Sequence, residues 1–341
     1  MRASELVAQA RAALKLRWRR RRLLWRAFRS RHQLHRLADR TASISRDEIL
    51  CFATIRNEAE RLPHFLDHYR RLGVRHFLIV DNASTDNSAA LLLDCTDVSL
   101  WQTAHSYRAS RFGMDWINHL LRRHGHGHWC LTVDADELLV HPHFPERTLH
   151  DLTRWLDGRG ERVFAAMMLD LYPHGRLTQT GPEPGDNPLD ALCWFDAVGY
   201  RREVQPRYAN LSIRGGVRER VFFPDRPDLS PHLHKTPLIR WQRGDAYLSS
   251  THIALPRALN KGFLCQGLPT GVLLHTKFLP SITARAVEEK QRGEHFTHTG
   301  NYAGYYDSLA ADPVLWQPSS TRYQGAEQLE HLGLMRRGAW F

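Results

Sequence analysis

The chain has 341 residues, 42% apolar and 24% charged, a globular composition long enough for one large domain or two ordinary ones. Collagen-like, mucin-like and wholly disordered classes are excluded. The formal charge of +11 is uneven: residues 1–46 hold fourteen Lys and Arg against Glu5 and Asp39, a local +12, and the remainder sums to −1. The basicity is thus an N-terminal appendage on a near-neutral body, and no nucleic-acid partner is expected for that body.

Residues 3–40 lack Pro and Gly and are rich in Arg, Leu and Ala, which predicts a helix. Leu14, Trp18, Trp25 and Phe28 form a narrow apolar stripe bordered by Arg17, Arg19 to Arg22, Arg26 and Arg29. Three partners fit residues 11–37: an anionic membrane surface with indoles at headgroup level, a protein surface, or nucleic acid. No stretch approaches the roughly 18–20 apolar residues that cross a bilayer, and no apolar segment of a signal peptide follows the first charges. Cys51, Cys95, Cys130, Cys193 and Cys265 are odd in number and contain no C-x-x-C, against a disulfide framework or zinc knuckle and for a reducing compartment. The expected location is cytoplasmic, peripheral at the inner face of the membrane if the arm binds lipid.

From residue 48, short apolar runs alternate with helical patterns. Strands are predicted at Ile49 to Ile55, His76 to Val80, Val98 to Trp101 and His128 to Val133, with helices at Glu58 to Leu72, Ser84 to Leu93 and Arg111 to Arg123. This alternation predicts an α/β fold built on a mostly parallel Rossmann-type sheet with helices on both faces, whose ligands gather at the carboxyl ends of the strands. Beyond Pro142 the expected order is a helix at Leu149 to Leu156 and a strand at Val163 to Leu169. A Pro/Gly/Asp-rich insertion or lid follows at Pro173 to Pro188. Strands at Val217 to Phe223, Leu238 to Trp241 and Val272 to Phe278 precede a helix at Ser281 to Arg292. The last thirty residues carry little periodicity, and no internal repeat is found.

The most informative stretch is Val133-Asp134-Ala135-Asp136-Glu137, at the end of the fourth strand. Alternation turns Asp134 and Asp136 the same way, and two such carboxylates repel unless a cation lies between them; oxygen ligands of this kind select Mg²⁺ or Mn²⁺. The first strand ends in Arg56-Asn57-Glu58 and the second in Asp81-Asn82-Ala83-Ser84-Thr85-Asp86. Asp81 suits a base or ribose hydroxyl, and Ser84 suits a helix cap. Arg56 meets a phosphate or pairs with Glu58.

These three segments, in this order and spacing, resemble the nucleotide-sugar-binding half of a family 2 glycosyltransferase with the GT-A fold. Asp170-Leu171-Tyr172-Pro173, Arg214-Gly215-Gly216-Val217-Arg218, Lys235-Thr236-Pro237-Leu238 and His275-Thr276-Lys277 resemble the bacterial subgroup with an R-N-E opening and an H-x-K segment. The similarity spans about residues 48–306. It implies a basic extension at 1–46, a transferase domain at 47–306 divided at 140/141 into donor and acceptor halves, and a tail at 307–341.

The resemblance implies a metal-dependent enzyme that moves a sugar from a nucleoside diphosphate sugar to a saccharide or lipid-linked acceptor. Asp81 would hold the base or ribose, Asp134 would lie near ribose and metal, and Asp136 would ligate Mn²⁺ or Mg²⁺. His275 matches the position of a further metal ligand and Lys277 that of a phosphate contact; Arg56 and Glu58 belong to the same nucleotide-sugar site. Inversion at the anomeric carbon needs a carboxylate base, for which Asp170 is preferred over Asp196, Glu219 and Asp245. No Glu-Asp pair followed by Gln-x-x-Arg-Trp occurs, which argues against processive synthesis.

Arg214 and Arg218 flank a Gly-Gly turn where bare backbone can approach a diphosphate or an acidic acceptor, or they are solvated arginines of a tight turn. The His124-Gly125-His126-Gly127-His128 run is expected to be an incidental loop, and Trp194, Trp241 and Tyr247 either stack on sugars or fill the core. Neither G-x-G-x-x-G nor G-x-x-x-x-G-K-[ST] occurs, against a nicotinamide oxidoreductase or P-loop NTPase. The competing reading is a binding protein, either a transferase fold that has lost turnover or a nucleic-acid binder using the basic arm.

Overall fold

Apolar residues on both faces of the first long strand decide where the helices go. The computed structural model describes residues 3–179, 187–292 and 303–341. The first half runs α1 (Ala3–Ser30), β1 (His35–Ala38), β2 (Ile49–Ile55), α2 (Leu62–Arg71), β3 (Val74–Asp81), α3 (Ser88–Leu93), β4 (Val98–Gln102), α4 (Met114–His124), β5 (Trp129–Thr132), β6 (Glu137–Val140), α5 (Leu149–Asp157) and β7 (Val163–Asp170). The second half runs α6 (Pro188–Ala191), β8 (Trp194–Phe195), β9 (Tyr200–Gln205), β10 (Asn210–Gly215), α7 (Gly216–Phe222), β11 (His234–Arg240), β12 (Ala246–Ser249), β13 (Ile253–Leu255), β14 (Thr270–His275), α8 (Ser281–Arg292), α9 (Ala303–Ala310), β15 (Thr321–Arg322) and α10 (Ala326–His331).

Nine strands form one sheet in the order β1-β4-β3-β2-β5-β11-β7-β14-β6. β2, β3, β4, β5, β7 and β14 share one direction, and β1, β11 and β6 oppose it. The α/β, mostly parallel sheet expected from the sequence is therefore the one the chain adopts. In β2, Cys51, Ala53 and Ile55 pack with Phe65 and Leu66 of α2 and Leu149 and Leu152 of α5. Leu50 and Phe52 turn the other way, onto Trp116, Ile117 and Leu120 of α4. Both faces are thus covered by helices. Each fully buried Leu, Ile or Phe among them contributes roughly 1.5–3 kcal/mol.

Several expectations change on inspection. Val217–Phe223 is not a strand: Gly216–Phe222 is helical, held by Val217 and Phe223 in the second core. The second helix begins at Leu62 rather than Glu58, with Pro63 in its first turn where no donor is missed. The third begins at Ser88 rather than Ser84, because Ser84 is bound back to Asp81. Residues 307–341, set apart above as a tail, supply Leu315, Leu329, Leu334 and Met335 to the second core and Trp340 to the first. Of the insertion at Pro173 to Pro188, residues 180–186 lie outside the described residues.

Helix α1 docks through Leu16, Leu23 and Ala27, the first two packing on Ala246, Leu248 and Leu255. Arg26 clamps it by donating to Asp115 Oδ2 at 2.7 and 3.0 Å. Among the described residues no helix is long and apolar enough to cross a membrane, and all five cysteines are free thiols.

Candidate functional site

Because six strands share a direction, their carboxyl ends meet at one edge of the sheet. There the cross-strand register does the placing. His275, the last residue of β14, stands beside Asp170 of β7 and opposite Glu137 of β6. β5 ends one residue before Val133, and Glu137 N–H donates to Asp134 O at 3.1 Å, so Asp134 and Asp136 occupy the turn between β5 and β6. Thr276 N–H fixes Asp136 O at 2.7 Å.

Both aspartates line one cavity of about 370 Å³, together with Arg56, Lys235, His275 and Lys277. His275 Nε2 lies 3.1 Å from Asp136 Oδ2, and its Nδ1 lies 2.6 Å from Asp170 Oδ1. Arg218 Nε donates to Asp170 Oδ2 at 2.7 Å, so Arg218, Asp170, His275 and Asp136 form a continuous chain of contacts. Lys235 donates to Asp134 Oδ2 at 3.1 Å and more closely to Glu137 Oε1.

The electrostatics follow from this burial and pairing. Burial raises the cost of charge on Asp136, but His275 beside it holds the carboxyl well below the usual range. Burial opposes charge on His275 as well, yet Asp136 and Asp170 on its two nitrogens keep it above an ordinary histidine. Asp170 is lowered despite burial by Arg218 and His275. Burial pushes the Glu137 carboxyl up to about 7 against the pull of Lys235. Lys235 resists desolvation because Asp134 and Glu137 flank it, so it stays protonated. Lys277 is lowered by burial, with Asp136 pulling against that shift.

Asp136, Glu137 and His275 each present a ligand atom within 4.8 Å of the others, a group able to hold a metal ion. Lys235 occupies one oxygen of the fully buried Glu137; Asp136 and His275 Nε2, which contact each other here, would take the ion once the ring gives up its proton, with the Asp134 carboxylate on the same cavity. Carboxylate oxygens with one imidazole can hold a divalent cation.

The remaining candidates are placed differently from expectation. Asp81 is fully buried and does not line the cavity: its Oδ1 accepts from Ser84 N–H and Oγ–H, and its Oδ2 from Gln102 Nε2 at 3.1 Å. Asp170 lies behind His275 with both oxygens taken, so it cannot reach an acceptor hydroxyl. Asp196, Glu219 and Asp245 pair with Arg220, Arg201 and Arg162 away from the cavity. Arg56 does not pair with Glu58; it donates to the carbonyls of Asn82 and Ala83, both at 2.8 Å, and its Nε has no partner. Glu58 instead accepts from Arg61 and Arg285, each at 2.8 Å, and so ties α8 to the turn after β2.

Arg214 and Arg218 diverge. Arg214 donates to the carbonyls of Asp228 and Ser230, outside the cavity, whereas Arg218 turns inward to Asp170. What approaches the bare backbone of Gly215, φ +131°, is Gly199 O, which a Cβ there would meet at 2.0 Å. Trp241 and Tyr247 are core residues with ring centroids 5.2 Å apart, and Trp194 packs on His174 and Trp316. In the histidine-rich run, His124 packs on Trp101 and His128 Nδ1 binds Glu48 O, which makes it a structural loop.

Lys235 and Glu137 were quoted from the sequence only within motifs, with no role of their own, and Arg285 was not singled out; all three carry the site electrostatically. The available signal was a lysine inside an apolar strand, but its carboxylate partners lie about a hundred residues away.

No family model matches the chain, and no curated protein does. Among solved structures it is similar to a 4-diphosphocytidyl-2C-methyl-D-erythritol synthase at 16% identity and a TM-score of 0.28, covering 58% of this chain and 76% of that one. A mycobacterial protein is similar at 18% identity and a TM-score of 0.25, covering 42% and 47%. Likenesses this distant carry no argument, and the functional reading rests on the geometry of the site.

Proposed function

We propose that the protein is a metal-dependent glycosyltransferase that moves a sugar from a nucleoside diphosphate sugar to a hydroxyl of a saccharide or lipid-linked acceptor, as the family 2 resemblance implies. One observation carries this reading: Asp134 and Asp136 from the end of β5 and His275 and Lys277 from the end of β14 line a single cavity. An ion held by Asp136 and His275 beside Asp134 would neutralise the diphosphate as it leaves.

The chain's own residues supply the rest. Asp170 and Arg218 fix the His275 ring, and Lys235 holds the Asp134 carboxylate toward the cavity. Lys277 and Arg56, whose guanidinium also lies 3.8 Å from Glu288, line the cavity and offer positive charge to phosphate oxygens. Ser249, Ser250, His232 and His252 line another part of the cavity, and burial keeps His232, at about 4, uncharged near neutrality. Neutral donors and acceptors of this kind suit sugar hydroxyls. In the reaction the bond from the anomeric carbon to the diphosphate oxygen breaks with its electron pair leaving on the diphosphate, that carbon bonds to the acceptor oxygen, and the hydroxyl proton passes to solvent water.

Thermal-shift measurements against a panel of nucleotide sugars, with and without Mn²⁺, test the reading. One donor should raise Tm substantially, and only with the metal. Absence of any metal-dependent stabilisation across the panel would discard it.

A further inference from the structure

We infer that the outward face of α1 is a docking surface for an anionic lipid bilayer. A helix turns once in 3.6 residues, which sets Leu16, Leu23, Ala27 and Ser30 on one side and Leu14, Trp18, Trp25 and Phe28 on the opposite side. The first set is buried on the body. The second is left in water, with exposures of 54% for Leu14, 62% for Trp18, 59% for Trp25 and 41% for Phe28. Single exposed apolar side chains need no explanation; four large ones on one stripe do.

The charges beside the stripe identify what covers it. Lys15, Arg17, Arg21, Arg22 and Arg29 are exposed along its edges. The Arg21 guanidinium lies 5.4 Å from the Trp18 ring centre, that of Arg31 lies 3.6 Å from Phe28, and Trp25 stacks on Phe28 at 5.8 Å. A bilayer surface satisfies both features together, with indoles at headgroup depth and guanidinium groups on lipid phosphates. Nucleic acid would neutralise the arginines but leave Leu14 and Phe28 in water. A second copy of the chain would set these arginines against their like.

The docking helix also shares its support with the cavity. Arg26 binds Asp115 and the carbonyl of Ala109, Trp116 Nε1 donates to Gln33 at 2.8 Å, and the buried face lies on β12. Tyr107 and Phe112, next to that clamp, and Ser249 and Ser250, at the end of β12, line the cavity. A chain seated on lipid through α1 would hold this part of the cavity wall in a fixed relation to the membrane. The surface itself does not depend on the transferase reading.

Flotation of the full chain with vesicles tests the inference. Vesicles of phosphatidylcholine mixed with phosphatidylglycerol are compared with phosphatidylcholine alone, using the wild type, a Trp18→Ser/Trp25→Ser/Phe28→Ser variant and an Arg17→Glu/Arg21→Glu/Arg22→Glu variant. All these side chains are exposed, so both variants should keep the wild-type thermal transition. The wild type should float with the anionic vesicles and be released by salt, and each variant should lose about tenfold or more of that binding. Three results would overturn the inference: a wild type that stays unbound at low salt, variants that float as well as the wild type, or aromatic substitutions that alter only oligomeric state or nucleic-acid binding.

Discussion

Asp170 and His275 end adjacent parallel strands in matched register, and the Asp170 carboxylate accepts the His275 Nδ1 proton at 2.6 Å. Since β-strand side chains in register share a face, this pairing is set by the β7–β14 ladder and leaves Nε2 directed at Asp136. Carboxylate–histidine pairs of this form orient an imidazole for metal binding. Asp170→Asn should therefore weaken Mn²⁺ binding by roughly 10–100-fold, and by removing one of the two anions on the ring it should lower the His275 pKa. Titration of the ring by NMR together with Mn²⁺ affinity separates this from a general loss of structure.

The same geometry sets a pH dependence. Asp136 and Asp170 hold the His275 pKa above the ordinary value, and the protonated ring has no lone pair to offer. Metal binding must release that proton, so Mn²⁺ affinity should rise with pH until His275 is neutral and then level off. A pH-independent affinity in calorimetric titrations would exclude His275 as a ligand.

Lys235 is buried between two carboxylates, and its removal takes away the partner that opposes the burial-raised Glu137, which would then bind a proton and stand unpaired in the interior. Lys235→Met should destabilise the fold by about 3–5 kcal/mol. Adding Glu137→Gln removes the carboxyl that has lost its partner and should recover part of that loss, a coupling that denaturant unfolding of the double-mutant cycle would report.

Buried neutral histidines make the fold acid-sensitive. Desolvation lowers His68 and His234 to about 3 and His141 to about 4. Each binds a proton more readily unfolded than folded, so its contribution is intact above the ordinary histidine value and is lost as pH falls from there toward the folded value. For His68 the loss at pH 5 is up to about 2 kcal/mol. Stability should decline between about pH 6.5 and 4, and His68→Gln should flatten that slope.

What could be read from the sequence was local. Ile49–Ile55 and the alternation after it were legible because consecutive apolar residues and glycine stops carry their own periodicity. The short helix at Gly216–Phe222 was not, since seven residues are held helical by the packing of Val217 and Phe223 rather than by propensity. In α1 the aromatic stripe was visible, but which of two opposed apolar faces docks depends on β12, more than two hundred residues later. Asp81 stands at the strand end where a ligand contact was expected; what encloses it is Gln102, its partner on β4. Asp134 and Asp136 were found from their position after an apolar strand. Lys235 was named within a motif but given no role, because only the β11 pairings bring it to them.

The most direct test of the central claim is Mn²⁺ uptake, followed by electron paramagnetic resonance, in the presence of a nucleoside diphosphate, for the wild type and Asp136→Ala. The wild type should bind the ion together with the nucleotide, and the variant should lose that uptake while retaining its fold. Equal uptake by both proteins, or none by the wild type, would contradict the assignment of Asp136 and His275 to a metal that holds the donor diphosphate.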